Sequence, residues 1–164
     1  MPAQFRITVE GFEELQQRVS SLPEKLRGPI MRGAMRAALV ELRKLARRYV
    51  LPKRTGALYR SIRVSARSFR DGALIGKVTA GGPGAQHANL IERGTKPHRI
   101  VAKRARALTI GDGRMVRSVR HPGHAGRHFM ARAAAEGARP ASDAFSAYVH
   151  ARIQRHMAAG GLVP

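Results

Sequence analysis

The fold depends most on LRGPIMRGAMRAALVELRKLARRYV, residues 26–50. Apolar side chains recur in this segment at intervals of three and four residues, which places them on one face of an α-helix. Pro29 falls early enough to be tolerated in a first turn, and Pro52 limits the far end. We therefore predict one long amphipathic helix whose opposite face is basic. The apolar stripe consists of Leu26, Ile30, Met31, Met35, Ala38, Leu39, Leu42, Leu45, Ala46, Tyr49 and Val50.

The segments on either side of this helix contain shorter elements. Apolar and polar residues alternate over 5–9, which predicts an opening strand, and helical spacing over 12–21 predicts a short helix. Beyond the long helix, residues 62–67 and 73–80 show the same two-residue alternation. The Asp71-Gly72 pair between them is typical of a hairpin turn. We therefore predict that these two strands pair antiparallel.

The C-terminal half contains a longer hairpin and further helices. We predict a short helix over 87–93, closed by the glycine that follows it. Short apolar pieces separated by a Gly-Asp-Gly turn predict an extended hairpin over 99–119. Helical spacing returns over 129–136 and again over 142–157, with Pro140 between them. Because proline interrupts a helix, we predict two helices there.

Together these elements predict an α+β domain, in which an antiparallel sheet packs against the long amphipathic helix and a C-terminal helix. We expect residues 1–157 to form a single domain. The Arg-rich hairpin at 96–128 is too polar and too rich in glycine to share the core fully, so we expect it to project as an arm. Residues 158–164 lack periodicity and are expected to form a flexible tail.

Composition excludes several classes of protein. The chain has 164 residues and no cysteine, which rules out disulfides, thiolate catalysis and cysteine-based zinc sites. Apolar runs fall short of the roughly 20 residues of a membrane span, and the N-terminus lacks a signal-peptide pattern. We therefore expect a soluble protein made inside the cell. Aromatic residues make up only 5% of the chain, and such a thin core suggests stabilisation by assembly with further copies.

Candidate catalytic and metal-binding groups are scarce. The chain has 10 Asp and Glu, and turn formation, helix capping and pairing with arginine account for them. No nucleophile elbow or phosphate-binding glycine loop is present in the sequence. His121, His124 and His128 have a spacing that permits metal binding, but no carboxylate or cysteine lies near them in sequence to complete a site. We expect no catalytic site, no cofactor and no metal.

Positive charge is the most pronounced property of the chain. The 31 Lys and Arg exceed the 10 Asp and Glu by 21, and residues 93–127 contain a single acidic residue, Asp112, among their many cations. Such a segment requires an anionic neighbour, and arginine binds phosphate and carboxylate equally well. Charge alone leaves open a nucleic acid or the acidic rim of another protein. The alternative function is therefore basic, sequence-independent nucleic-acid binding, with an affinity that falls steeply as salt rises.

Four stretches of the chain, in this order, resemble a known family. They are ITVEGFEEL at 7–15, PKRTGALYRSI at 52–62, HANLIERGT at 87–95 and HPGHAGRHFMARA at 121–133. Together they are similar to the neck or tail-completion minor structural proteins of long-tailed bacteriophages, the gp-ten-like group of HK-type siphophages. The resemblance spans most of the chain.

The resemblance implies a virion structural protein without catalytic activity. It implies a homo-oligomeric ring, a hexamer or dodecamer, in the neck between head and tail, with viral DNA passing through its centre. Its neighbours would be a head-completion or portal-side connector protein and the tail terminator or tail tube protein. No membrane is involved, and assembly would take place in the host cytoplasm.

Two sets of residues follow from the resemblance and from the charge. The first set shapes the family motifs and comprises Thr55, Gly56, Leu58, Glu92, Gly94, Thr95, His121, Pro122, Gly123 and Phe129. The second set lies on the arm and is expected to contact neighbouring subunits or partner proteins; it comprises Arg99, Lys103, Arg104, Arg106, Arg114, Arg117 and Arg120.

Overall fold

A computed structural model describes residues 19–20, 24–50, 55–68, 74–103 and 106–160. The helices in these ranges are α1 (Glu24–Tyr49), α2 (Ala57–Ser61), α3 (Ala88–Arg93) and α4 (Phe129–Ala158). The strands are β1 (Arg63–Ser68), β2 (Leu74–Thr79), β3 (Gly94–Thr95), β4 (His98–Val101), β5 (Leu108–Thr109), β6 (Met115–Val116), β7 (Ser118–His121) and β8 (His124–Ala125). The predicted opening strand, the Asp71-Gly72 turn and nearly all of the predicted helix over 12–21 lie outside the described residues.

The predicted long helix is confirmed as α1. Alanine and leucine, both strong helix formers, fill its middle. Its buried residues recur at helical spacing and comprise Ile30, Ala34, Ala38, Leu39, Leu42 and Ala46. Because α1 begins at Glu24, Pro29 lies in the second turn and not in the first as expected. Pro29 is exposed, so it removes one backbone donor near the start of the helix and leaves the buried face intact.

The prediction of two helices on either side of Pro140 is wrong. Instead, α4 continues without interruption for 30 residues, up to Ala158, the first residue of the predicted tail. Pro140 is exposed, whereas Gly137 and Ala141 beside it are buried, and the missing Cβ of Gly137 makes room for leucine side chains of α1. A proline inside a helix costs about 3 kcal/mol. Packing of the opposite face of α4 against α1 offsets this cost.

The core lies between α1, α4 and the β1–β2 hairpin. Phe145 and Val149 of α4 are almost fully buried, in one cluster with Leu39 and Leu42 of α1. A second cluster, toward the C-terminal end of α1, comprises Ala46, Val50, Leu58, Ile62, Ala88, Phe129, Met130 and Ala133. The second cluster ties the start of α4 to α1, α2 and α3.

The first predicted hairpin is confirmed. β1 and β2 pair antiparallel over all six residues of each strand. Val64 and Ala66 of β1 and Val78 of β2 face the helices and pack against the core cluster that contains Phe145. The two long helices and this hairpin confirm the predicted α+β class.

The second predicted hairpin is present as antiparallel pairs arranged in series. β5 pairs with β6 near the tip, and β4 pairs with β7 nearer the body. Where the chain joins the body, β3 pairs with β8. All four residues of β4 are exposed. We keep the term arm for residues 96–128 and call β3, β8 and residues 126–128 the arm base.

Replacing Phe145 with alanine tests the packing of α4 on α1. Phe145 is 2% exposed, so we expect the variant to lose about 3–5 kcal/mol in free energy of unfolding, measured by urea denaturation. Met157→Ala, a truncation in the same helix, is the control. Met157 is 57% exposed, and we expect its truncation to change stability by less than about 0.5 kcal/mol. Similar values for the two variants would contradict the buried position of Phe145.

Candidate functional site

The buried carboxylate of Glu92 caps the N-terminus of α4. Its Oε2 accepts a hydrogen bond from the backbone N–H of Met130 at 2.9 Å, and its Oε1 accepts one from Ala131 at 3.1 Å. These are the second and third residues of α4, whose N–H groups have no partner within the helix. His128, the residue before α4, has a left-handed φ of 49°, and its side chain makes no capping bond. The charge of Glu92 also interacts favourably with the positive end of the helix dipole.

Backbone contacts reinforce this cap at the arm base. The N–H groups of Arg127 and His128 donate to the carbonyls of Ile91 and Glu92 at 2.8 and 3.0 Å. In the β3–β8 pair, Gly94 lies opposite Ala125, and Thr95 lies opposite His124. The end of α3, the arm base and the start of α4 therefore form one hydrogen-bonded unit.

Glycine permits the two backbone segments of the arm base to lie in contact. Gly94 and Gly123 have φ values of 78° and 80°, in the left-handed region that favours glycine. A Cβ on Gly123 would overlap the carbonyl of Thr95, and one on Gly126 would lie 2.5 Å from the carbonyl oxygen of Glu92. The exposed Pro122 lies beside this contact. His121, Pro122 and Gly123 thus link the β4–β7 pair to the β3–β8 pair, with Gly123 against residues 95–97.

Three of the four sequence motifs meet around one open groove of about 390 Å³. The motif residues that line it include Thr55, Gly56 and Leu58 from the second stretch, His87 and Ile91 from the third, and His124 and Arg127 from the fourth. Thr55 Oγ1 accepts a hydrogen bond from the N–H of Ala57 at 3.3 Å, and Gly56 has a φ of 72°. These two residues turn the chain into α2, whose Leu58 is buried in the core. The first motif, at 7–15, lies outside the described residues.

The arm carries two arginines on the same face. In the register of β4 and β7, Arg99 lies directly opposite Arg120, and opposed like charges destabilise a strand pair. Arg99 donates from Nε and Nη2 to Ser118 Oγ, at 3.0 and 2.8 Å. An anionic group of a partner over this face would relieve the repulsion between the two guanidinium groups.

The other cations of the arm are also at the surface. The predicted contact residues are all exposed where the structure describes them, namely Arg99, Lys103, Arg106, Arg114, Arg117 and Arg120, while Arg104 lies outside the described residues. Arg114 Nε forms an ion pair with Asp112 Oδ2 at 2.5 Å. Hydrogen bonds from the backbone N–H and then the side chain of Arg114 lower the pKa of the Asp112 carboxyl. The single acidic residue of the arm is thus engaged within the tip turn.

Apolar side chains are exposed among these cations. Met115 is 71% exposed, Val101 is 49% exposed and Ile100 is 37% exposed. Arginine and methionine are enriched in protein interfaces, and lysine is depleted there. The surface of the arm therefore has the composition of a protein interface.

The histidines of the fourth motif are dispersed. The His121 ring lies 5.1 Å from the His98 ring of the opposite strand, and its Nδ1 accepts a hydrogen bond from the N–H of Gly123 at 3.0 Å. His124 Nδ1 is 3.0 Å from the carbonyl oxygen of Ala125, and His128 precedes α4. Across the described ranges, no three His, Asp or Glu side chains are grouped closely enough to hold a metal ion.

A family model described as "Bacteriophage HK97-gp10, putative tail-component" matches residues 13–94, half of the chain. The chain belongs to this HK97 gp10-like family. Neither a curated protein nor a solved structure matches it. The match confirms the family resemblance and includes the second of the four stretches and the third up to Gly94, whereas the fourth stretch, at 121–133, lies outside it.

Membership in the HK97 gp10-like family makes the chain a phage structural protein, located in the virion and in contact with other virion proteins. The match extends over α1, α2, α3 and the β1–β2 hairpin and ends at Gly94, just before the arm. The arm and α4 lie beyond the matched residues. Among the described helices, none is both long enough and apolar enough to cross a membrane.

Variants of Glu92 test the cap. Glu92→Ala leaves two N–H groups at the start of α4 without their acceptor, so we expect a loss of about 1.5–3 kcal/mol in free energy of unfolding. Glu92→Gln keeps one acceptor oxygen and should lose less. Glu41→Ala is the control, because Glu41 forms a surface pair with Lys44 worth at most about 1 kcal/mol. Urea denaturation at neutral pH measures all three, and equal losses for the two alanine variants would refute the cap.

Glycine-to-alanine variants test the close contact at the arm base. Gly123→Ala places a Cβ against the Thr95 carbonyl at a left-handed φ, so we expect a loss of at least about 1–2 kcal/mol. Gly111→Ala is the control, because nothing lies within 4 Å of a Cβ there. Hydrogen exchange of the Arg127 and His128 amides should accelerate in the Gly123 variant alone. Unchanged exchange at both amides would refute the contact.

Proposed function

We propose that this phage structural protein is a neck subunit that joins the head to the tail. Six or twelve copies form a ring between the portal side of the head and the tail tube, and viral DNA passes through the centre of the ring. The ring contacts a head-completion or portal-side connector protein on one side and the tail terminator or tail tube protein on the other. It assembles in the host cytoplasm and remains in the neck of the virion.

The observation that carries this proposal is the surface of the arm. Arg99 and Arg120 face the same side, and Val101, on that side in the same strand, is half exposed. Arginine forms paired hydrogen bonds with carboxylates, and exposed Val101 and Met115 supply apolar area that a phosphate backbone does not use. The arm therefore fits a protein surface with an apolar centre and an acidic rim.

The arm base supports the same function. Because Glu92 holds the first turn of α4, the direction of the arm is coupled to the two long helices. Binding to an arm that is already fixed costs less conformational entropy than binding that must first order the arm. In a subunit built in this way, the orientation of the body fixes where the arm meets a neighbouring protein.

We further propose that the protein acts without catalysis. Three carboxylates of the described residues are engaged in structure: Glu92 caps α4, Glu136 accepts a hydrogen bond from the Tyr49 hydroxyl, and Asp112 shapes the tip turn. The hydrogen bond to Glu136 raises the pKa of Tyr49. An acid–base pair requires groups with opposed protonation roles around a shared site. These carboxylates lie on separate elements and serve separate contacts.

Charge reversal on the arm tests the joining function. The phage is engineered to make, in place of the wild-type protein, a variant in which four arginines of the arm are replaced by glutamate: Arg99, Arg106, Arg117 and Arg120. We expect separate heads and tails to accumulate, because the loss of interfacial ion pairs weakens docking by at least about 2 kcal/mol. Electron microscopy of lysates measures the fraction of joined particles.

The control reverses four exposed cations of the two long helices, Arg36, Arg48, Arg139 and Arg155. It changes the net charge by the same amount, and we expect joining to persist. Normal joining in the arm variant would refute the role of the arm. Purified protein that binds duplex DNA but never enters the virion would instead favour the alternative, a basic nucleic-acid-binding protein.

A further inference from the structure

The outer face of the β1–β2 hairpin is a second basic surface, separate from the arm. Alternate residues of β1 point to the two sides of the hairpin, so Val64 and Ala66 enter the core while Arg63, Ser65 and Arg67 point outward. The register adds the outward residues of β2, with Thr79 opposite Arg63, Lys77 opposite Ser65 and Ile75 opposite Arg67. Arg63, Arg67 and Lys77 are all exposed.

Three cations are thus spread along this outer face. Arg63 and Arg67 are four residues apart on one strand, a distance of about 13 Å at the rise of a β-strand. Lys77 lies between them on the neighbouring strand. Neither β1 nor β2 contains a carboxylate, and within the described part of the chain these three head groups make no hydrogen bond or ion pair. Their charge therefore remains available to a partner.

The chemistry of this face differs from that of the arm. Arg63, Ser65, Arg67, Lys77 and Thr79 can all donate hydrogen bonds to oxygen anions, and Ile75 is the single outward apolar residue of the two strands. In DNA-binding proteins, side chains of these types contact the phosphate groups, whereas protein interfaces also bury apolar area. The face is therefore matched to phosphate, and the arm to protein.

We infer that the outer face of the β1–β2 hairpin contacts the phosphate backbone of duplex DNA, independently of base sequence. The inference rests on the proposed function, in which a duplex passes through the ring, and it assigns one face of each subunit to that duplex. Each subunit contributes few phosphate contacts, so each contact is weak and sensitive to salt. A duplex can then move past the ring without being held by any one subunit.

The test compares DNA binding by two variants of equal charge. The hairpin variant carries Arg63→Gln, Arg67→Gln and Lys77→Gln. The control variant carries Arg36→Gln, Arg48→Gln and Arg139→Gln, three exposed cations of α1 and α4. Both variants lower the formal net charge from +21 by three. Thermal unfolding should be alike in both, because surface substitutions have small effects on stability.

The measurement is fluorescence anisotropy of a short mixed-sequence duplex between about 50 and 200 mM salt. The slope of log affinity against log salt should become shallower by about 2–3 in the hairpin variant, because each lost phosphate contact contributes about 0.9. The control variant should change the slope by less than about 1. Equal changes in the two variants would overturn the inference, because the binding would then reflect net charge alone.

A third variant separates DNA from protein as the partner of this face. Arg99→Gln, Arg117→Gln and Arg120→Gln on the arm should leave most of the salt dependence intact. A hairpin variant with wild-type DNA binding but impaired head–tail joining would overturn the inference and assign the face to an acidic protein. Because incorporation into the virion and DNA binding are measured separately, a shallower slope for a protein that never enters the virion would refute the proposed function and retain the DNA contact.

Discussion

The carboxylate of Glu92 holds the first turn of α4, and the relation between the body and the arm depends on this contact. It connects α3, which has six residues, to α4, which has 30, although the arm separates these two helices in sequence. Burial of a charged carboxylate is unfavourable unless hydrogen bonds satisfy it, and two backbone N–H groups do so here. Phe129 and Met130, which follow the cap directly, are buried in the second core cluster. The hydrogen bonds of Glu92 and the burial of Phe129 and Met130 thus both hold the first turn of α4 in place.

The surplus charge of the chain is distributed over surfaces with different neighbours. On the arm, arginine alternates with exposed aliphatic and methionine side chains, whereas the outer face of the first hairpin is almost entirely polar. A partly apolar surface such as the arm excludes water when a protein binds it. A polar, basic surface such as the outer hairpin face displaces counterions when it binds phosphate. Net charge alone cannot make that distinction, because both surfaces contribute to it in the same way.

Local patterns in the sequence were sufficient to predict α1, the β1–β2 hairpin and the hairpin of the arm, because periodicity reports directly which face of an element is buried. They failed at Pro140, where contacts between Gly137, Ala141 and α1 outweigh the local preference of proline. They allowed helix capping as a role for the carboxylates but did not show that Glu92 caps α4, because its partners, Met130 and Ala131, are distant in sequence. The opposition of Arg99 and Arg120 likewise required the strand register. The motif residues at 55–58 and 87–95 were found by family resemblance, and the groove that joins them became visible only in three dimensions.

The paired strands β3 and β8 place the two ends of the arm side by side at the surface of the body. An insertion whose ends adjoin in this way can lengthen, shorten or be exchanged at small entropic cost, because the surrounding chain is already closed around it. The family match ends at this junction. The arm can therefore change in length or reach while α1, α4 and the β1–β2 hairpin keep their packing against one another.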